Sequence, residues 1–303
     1  MIIMLNKKIR NIKEYVMKKI IQPFFRKMAG WDELEKRLLT IEYIINKGID
    51  ITSFPPATGL LRQCQIASAE MLRIVCNVLD ENNLTYWLDY GTLLGAVRHK
   101  GYIPWDDDID IAMTREDYDV ACKLLPEALK QYGIDVTKPN DERIGISIWK
   151  AGLIMDIFPL DNVAADSVSS IDELRNRIIE FRKYYIKNKK LPVMTLREQR
   201  YKMIGCPSND NPLWYHNVEF LADRTVYSDN TIFPLKEISF EGYLFKVPND
   251  CHKYLTETYG DYMSMPKSGV LHHQGGNGDK GIIYNVVKYN TDIEAKIEEL
   301  KKY

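Results

Sequence analysis

Apolar and polar positions change period several times along the chain, and each change predicts an element. Leu60 to Leu79 reads as a helix leading into a strand at Leu84. In Leu84-Thr-Tyr-Trp-Leu-Asp89 the alternate residues Leu84, Tyr86 and Leu88 share one face. The run from Asp108 alternates in the same way, so Asp108 and Asp110 project side by side while Ile109 and Ile111 face the opposite layer. Thr114 caps a helix to Lys130. Ile144, Ile146 and Ile148 alternate with Gly145, Ser147 and Trp149, and Lys150-Ala-Gly152 makes a turn. Leu153 to Phe158 is apolar on both faces, as a central strand is. Ser170 with Glu173 caps a charged helix to Lys187. Phe240-Glu-Gly-Tyr243 predicts a hairpin turn ended by Val247-Pro248, Cys251 to Tyr259 a helix, and Thr291 the start of a last amphipathic helix. Gly275-Gly-Asn-Gly278 reads as a mobile loop, and residues 200–230 show no pattern that places them.

The first thirty residues stand apart. Ile9, Ile12, Val16, Ile20, Phe24 and Met28 recur at three- and four-residue steps with lysines between them, and Pro23 ends or kinks the helix. Such a basic amphipathic segment suits an anionic membrane surface or a docking face on the protein's own core. Met1 to Leu5 is too short for a signal-peptide core, and no run reaches the 18 or so apolar residues of a membrane-spanning helix. Asp32 with Glu35 opens a second helical stretch that Gly48 closes, and Phe54-Pro-Pro-Ala-Thr-Gly59 breaks it as a linker.

Net charge is −1 over 303 residues, which hides an asymmetry. Residues 1–30 carry +7, so the body carries −8, a poor surface for nucleic acid. The five cysteines are scattered, with no disulfide framework and no CxxC pair, which fits a reducing cytoplasm. Cys251-His252 and His272-His273 lack the close ligand pairs of a structural zinc site.

Chemistry concentrates in Tyr102-Ile-Pro-Trp-Asp-Asp-Asp-Ile-Asp110, four carboxylates in five residues. Their repulsion calls for a counter-charge, most directly Mg²⁺ or Mn²⁺. An EF-hand is excluded, because Ile111 stands where its glycine must be and Asp117 where its glutamate must be. An Asp-x-Asp glycosyltransferase site fits the run by itself. Upstream, a strand enters Tyr90-Gly91-Thr92, where backbone N–H groups, the Thr92 hydroxyl, Arg98 and Lys100 suit an incoming phosphate. Downstream, Asp156 is a solitary carboxylate inside an apolar strand, where it needs a partner or a metal. Together these features suit two-metal phosphoryl transfer.

Three stretches carry a family resemblance: Tyr86 to Arg98, Gly101 to Asp110, and Asp156-Ile-Phe-Pro-Leu-Asp161. They closely resemble the LicD family, a branch of the nucleotidyltransferase-fold superfamily related to fukutin-type proteins. The likeness resumes at Phe240-Glu-Gly242, Val247-Pro248, Tyr254-Leu255, Tyr259 to Met263 and Pro266, covering about residues 58 to 273. After Pro266 this chain lacks the arginine that often precedes the family's histidine.

The resemblance implies an α/β fold, a nucleotidyltransferase-like mixed-sheet core with helical N- and C-terminal additions. Patterning and resemblance together suggest a basic segment (1–30), a helix and linker (31–57), a catalytic core (58–165) and a C-terminal part completing the site (166–303). The resemblance implies that Asp108, Asp110 and Asp156 hold Mg²⁺ or Mn²⁺ and that Gly91-Thr92 contacts phosphate. The reaction it implies moves phosphocholine from CDP-choline to a hydroxyl of a teichoic-acid or lipopolysaccharide precursor, lipid-linked or not, in the cytoplasm or on the inner membrane face. Trp87, Tyr90, Tyr102 and Trp105 stand near these motifs and offer aromatic faces for a quaternary ammonium. The alternatives are transfer of another phospho-alcohol, a nucleotidyltransferase releasing pyrophosphate, and an inactive scaffold in glycan assembly.

Overall fold

The computed structural model describes residues 48, 50–137, 141, 143–148, 153–216, 225–264, 286–287 and 291–303. The basic segment, the stretch opened by Asp32, the Lys150-Ala-Gly152 turn, the Gly275–Gly278 loop and His272-His273 lie outside the described residues. The chain divides into two compact units. One comprises residues 1–53 and 264–268, and its one described element is the 3-10 turn Ile51–Ser53. The other, residues 54–263 and 269–303, carries all that follows.

Helix α1 (Gly59–Glu81) is buried on nearly all sides from Cys64 to Leu79, with Cys64, Met71, Leu72, Val75 and Leu79 in the main core. Strand β1 (Tyr86–Leu88) is shorter than its sequence predicts, and Asp89 keeps its N–H on the β2 backbone while its side chain caps α2 (Tyr90–Arg98). Strand β2 (Asp108–Thr114) runs into α3 (Arg115–Ala128), where the Thr114 hydroxyl accepts the Asp117 N–H at 3.3 Å. Short β3 (Asp135–Val136), β4 (Ile144–Ile148) and the long β5 (Leu153–Ala164) follow.

The sheet order is β1-β2-β5-β4-β3, with β2 and β5 parallel and the other neighbours antiparallel. Strand β5 continues past its predicted end at Phe158 because it has two successive partners on one edge. Leu153 to Ile157 pair with β4, and Leu160 to Ala164 pair with β6 (Pro212–His216), which pairs in turn with β7 (Val226–Ser228). The sheet therefore takes strands from both sides of residue 165.

Helix α4 (Ile171–Asn188) starts at the predicted Ser170 cap, whose hydroxyl accepts the Glu173 N–H at 3.1 Å. Helix α5 (Val193–Met203) follows, and a second core gathers Leu174, Ile178, Phe181 and Leu196 against Val163 and Tyr215. Beyond β7 come α6 (Asp229–Ile232), the hairpin β8 (Lys236–Phe240) and β9 (Tyr243–Val247), α7 (Cys251–Tyr259) and α8 (Ile293–Leu300). Among the described residues no helix is long and apolar enough to cross a membrane.

A buried ionic network joins these layers. Arg115 grips Asp161 in a two-bond fork, Nε to Oδ1 at 2.9 Å and Nη2 to Oδ2 at 3.0 Å, and Arg200 Nη1 reaches the same Oδ2 at 2.9 Å. Asp141 accepts from Arg197 at 2.6 Å and from Arg115 at 3.3 Å. Burial pushes the Asp161 carboxyl up, but the guanidinium groups of Arg115 and Arg200 outweigh it and hold the group below the usual carboxylate range. Asp161 differs in parity from Asp156, so it faces the layer of α3 and α5, away from the acidic run.

Candidate metal centre

The centre is built where β1, α2, β2 and β5 meet. Asp110 and Asp156 are register partners on the parallel strands β2 and β5, and Asp108 lies one pleat along on the same face as Asp110. Gly145 is the partner of Asp156 on β4, and an added Cβ there would lie 3.5 Å from Asp156 Oδ1. Carboxylate oxygens of Asp106, Asp107 and Asp108 come within 4.8 Å of one another. Burial, then the charges of Asp108, Asp106, Asp156 and Asp89, hold the Asp110 carboxyl well above its ordinary range. Crowded oxygen donors destabilised by their own repulsion fit a hard divalent cation, which neutralises them where water cannot.

The start of α2 anchors this strand. The Asp110 N–H donates to the Thr92 hydroxyl at 2.9 Å, and the Asp110 carbonyl accepts the Asp89 N–H at 3.0 Å. Both backbone groups of one candidate ligand are thus taken by the Asp-Tyr-Gly-Thr turn. Asp89 Oδ1 also accepts the Tyr90 N–H and the Tyr254 hydroxyl, each at 2.8 Å. An added Cβ on Gly91 would lie 2.7 Å from Asp106 Oδ2, so the glycine is what lets that carboxylate approach the first turn. Two acids, Asp89 and Asp106, therefore stand at the positive end of α2.

The expected phosphate cations are placed elsewhere. Arg98 is the last residue of α2, roughly 10 Å along the axis from Gly91 at 1.5 Å per residue. It is buried, donating to the Tyr262 carbonyl at 2.6 Å and to His99 Nε2 at 3.0 Å. Burial and Arg98 push His99 down to about 4, which keeps Nε2 an acceptor at neutral pH. Lys100 is exposed, with Nζ 3.2 Å from the Val97 carbonyl. The cation beside the centre is one the sequence pattern did not single out: Arg143 Nη1 lies 2.7 Å from Asp156 Oδ2 and is 45% exposed.

The four aromatics separate into two pairs. Trp87 is a core residue, its Nε1 3.4 Å from the Tyr254 hydroxyl and its ring against Phe233. Tyr102 is likewise buried, tilted against Phe240 with centroids 5.0 Å apart. Trp87 is packed away within the core, whereas Tyr102, though its ring is buried, helps line a cavity with Phe54, Arg62, His99 and Glu241. Tyr90 and Trp105 are half-buried. Tyr90 stacks on His216 at 4.7 Å with Phe158 at its edge, and Trp105 meets Phe54 and His99 edge-on. His216 Nε2 in turn stands 3.3 Å from Asp89 Oδ2. This histidine lies in the stretch that showed no pattern; its only sequence signal was the short apolar run Pro212-Leu-Trp-Tyr after a polar turn.

Fold and site together define an α/β domain with an acidic centre on a mixed sheet. Residues 83–209 match the LicD/FKTN/FKRP nucleotidyltransferase domain. The chain is 27% identical over 244 residues to the lipopolysaccharide cholinephosphotransferase LicD of Haemophilus influenzae, covering 68% of this chain and 92% of that one. It is 26% identical over 217 residues to the mouse ribitol 5-phosphate transferase FKRP, covering 70% of this chain and 36% of that one. An uncharacterized Rickettsia typhi protein, RT0683, is 28% identical over 165 residues. The chain thus spans about half the length of that protein (52%) and about a third of the mouse protein (36%).

Proposed function

We propose that this chain transfers a phospho-alcohol, phosphocholine in the first instance, from a CDP-linked donor to a hydroxyl of a surface-glycan precursor. The observation that carries the reading is the in-register pair Asp110 and Asp156, with Asp108 beside them. A cholinephosphotransferase and a ribitol 5-phosphate transferase among the relatives support the reaction class. The second relative also supports ribitol phosphate as the competing cargo.

In this reading Asp108, Asp110 and Asp156 hold Mg²⁺ or Mn²⁺. When bound, the metal neutralises the donor pyrophosphate and lowers the pKa of the acceptor hydroxyl. The acceptor oxygen attacks the phosphorus that bears the alcohol, the bond from that phosphorus to the bridging oxygen breaks, and CMP leaves. The chain's own groups supply positioning. Thr92 and Asp89 fix the Asp110 backbone, Arg143 offers a guanidinium to a donor phosphate, and Tyr90 offers a ring face to the cationic head of choline. The basic segment 1–30 brings the enzyme to an anionic membrane carrying its acceptor.

The test is incubation of pure protein with Mg²⁺ and a panel of CDP-alcohols and NTPs. CMP release from CDP-choline or CDP-ribitol supports the reading. Pyrophosphate release from an NTP would make the chain a nucleotidyltransferase, and no turnover with any donor would favour a scaffold.

A further inference from the structure

We infer that Glu241, at the tip of the β8–β9 hairpin, is a positioning residue that holds the 101–107 loop and so sets where Asp106 and Asp108 stand. The inference rests on the reading of that loop's acidic end as a metal-holding centre.

Glu241 occupies an unfavourable place for its residue type. Phe240 and Tyr243 are the last paired residues of the hairpin, leaving Glu241-Gly242 as a two-residue turn with φ of +51° and +89°. Positive φ at both positions favours Asn or Gly at the first, where a long side chain gains nothing for the turn. A residue that breaks a local rule is commonly retained for what its side chain does elsewhere.

The side chain of Glu241 reaches far. Oε1 accepts the Tyr102 N–H at 3.0 Å, and Oε2 accepts from Arg62 Nη2 on α1 at 2.6 Å. An added Cβ on Gly101 would lie 2.6 Å from Oε1, so the loop closes over the carboxylate with no room for a side chain. Gln65 on α1 completes the grip on the same loop, its Nε2 donating to the Asp106 carbonyl at 2.9 Å. The loop that ends in the acidic run is thus held at its start by the hairpin and at its end by α1. Neither support is near it in sequence.

Glu241→Asn separates positioning from stability. Asparagine suits the turn but is too short to reach Tyr102, and Arg62 is exposed enough to be solvated without its partner. On the full chain, amide exchange of residues 101–107 should quicken about tenfold or more, and Mn²⁺ affinity, read by electron paramagnetic resonance without donor, should weaken about tenfold, for a lost charge-assisted clamp. The thermal midpoint should change little, the better turn residue offsetting the Tyr102 N–H left without its acceptor. Glu241→Gln keeps an acceptor for Tyr102 and should stay within about threefold of the parent on both readouts. Gly101→Ala should reproduce the asparagine phenotype and add little to it in the double variant.

Exchange in 101–107 as slow in Glu241→Asn as in the parent overturns the inference. So does quickened exchange with unchanged Mn²⁺ affinity. If the parent itself binds no Mn²⁺, the metal reading fails, and exchange alone decides whether Glu241 holds the loop.

Discussion

Thr92 and Asp110 are joined across 18 residues by one hydrogen bond, the strand N–H donating to the side-chain hydroxyl at 2.9 Å. The threonine after the glycine thus acts on the acidic strand, and phosphate contact is not needed to explain it. Thr92→Val keeps the shape and removes the acceptor, leaving a buried N–H unsatisfied. It should lower stability by about 1–3 kcal/mol in urea unfolding and slow turnover, and Thr92→Ser should restore most of both.

Arg143 beside Asp156 divides the cations by role. Arg143→Ala should raise the donor KM about tenfold or more, the scale of a lost charge-assisted contact to phosphate. Lys100→Ala, at the far end of α2, should leave the donor KM within about twofold, because an exposed charge at that distance is screened. Steady-state kinetics on both variants decides between them; the opposite ranking would restore the phosphate site to the Arg98–Lys100 end.

Tyr90 and Trp87 should behave oppositely. Tyr90→Leu should raise the KM for CDP-choline by a few-fold to about 30-fold, a cation–π contact of ~0.5–2 kcal/mol, and spare CDP-glycerol. Trp87→Leu should destabilise the fold by about 3 kcal/mol while changing neither KM selectively. Equal KM losses for both donors in Tyr90→Leu would mean that its ring only packs against His216.

The Asp161 network gives a pH signature. Its folded pKa is depressed, so its ionic contribution is full above the ordinary carboxylate value of about 4 and is lost as pH falls through the lower folded value. Asp161→Asn removes one partner of a buried pair and should cost about 3–5 kcal/mol at neutral pH. The difference from the parent should shrink toward pH 2, as measured by chemical unfolding across pH. A constant difference would place the stabilisation in packing.

Much of this was legible in the sequence because local rules carried it. The alternation at Asp108 to Ile111, the Thr114 and Ser170 caps, and the Glu241-Gly242 turn all appear where the pattern puts them. What the sequence hid was set by distant partners. β6 is five residues buried on nearly every side, so no alternation marks it, and α5 is a charged helix that buries little beyond Leu196 and Arg200. Asp156 and Asp161 look alike in the sequence and face opposite layers, which only parity along a strand of the right length separates. Trp87 shares the parity of Asp89, yet the chain turns at Asp89, and parity carries no information past a turn.

CMP release from CDP-choline by the pure protein in Mg²⁺, compared with its Asp110→Asn and Asp156→Asn variants, tests the central claim most directly. Chelation should abolish release, each variant should fall by at least about a thousandfold, and both should still fold, with metal-free thermal stability held or raised as repulsion among the acids is relieved. Near-parental release by a folded Asp110→Asn variant, or release that survives chelation, would contradict that claim.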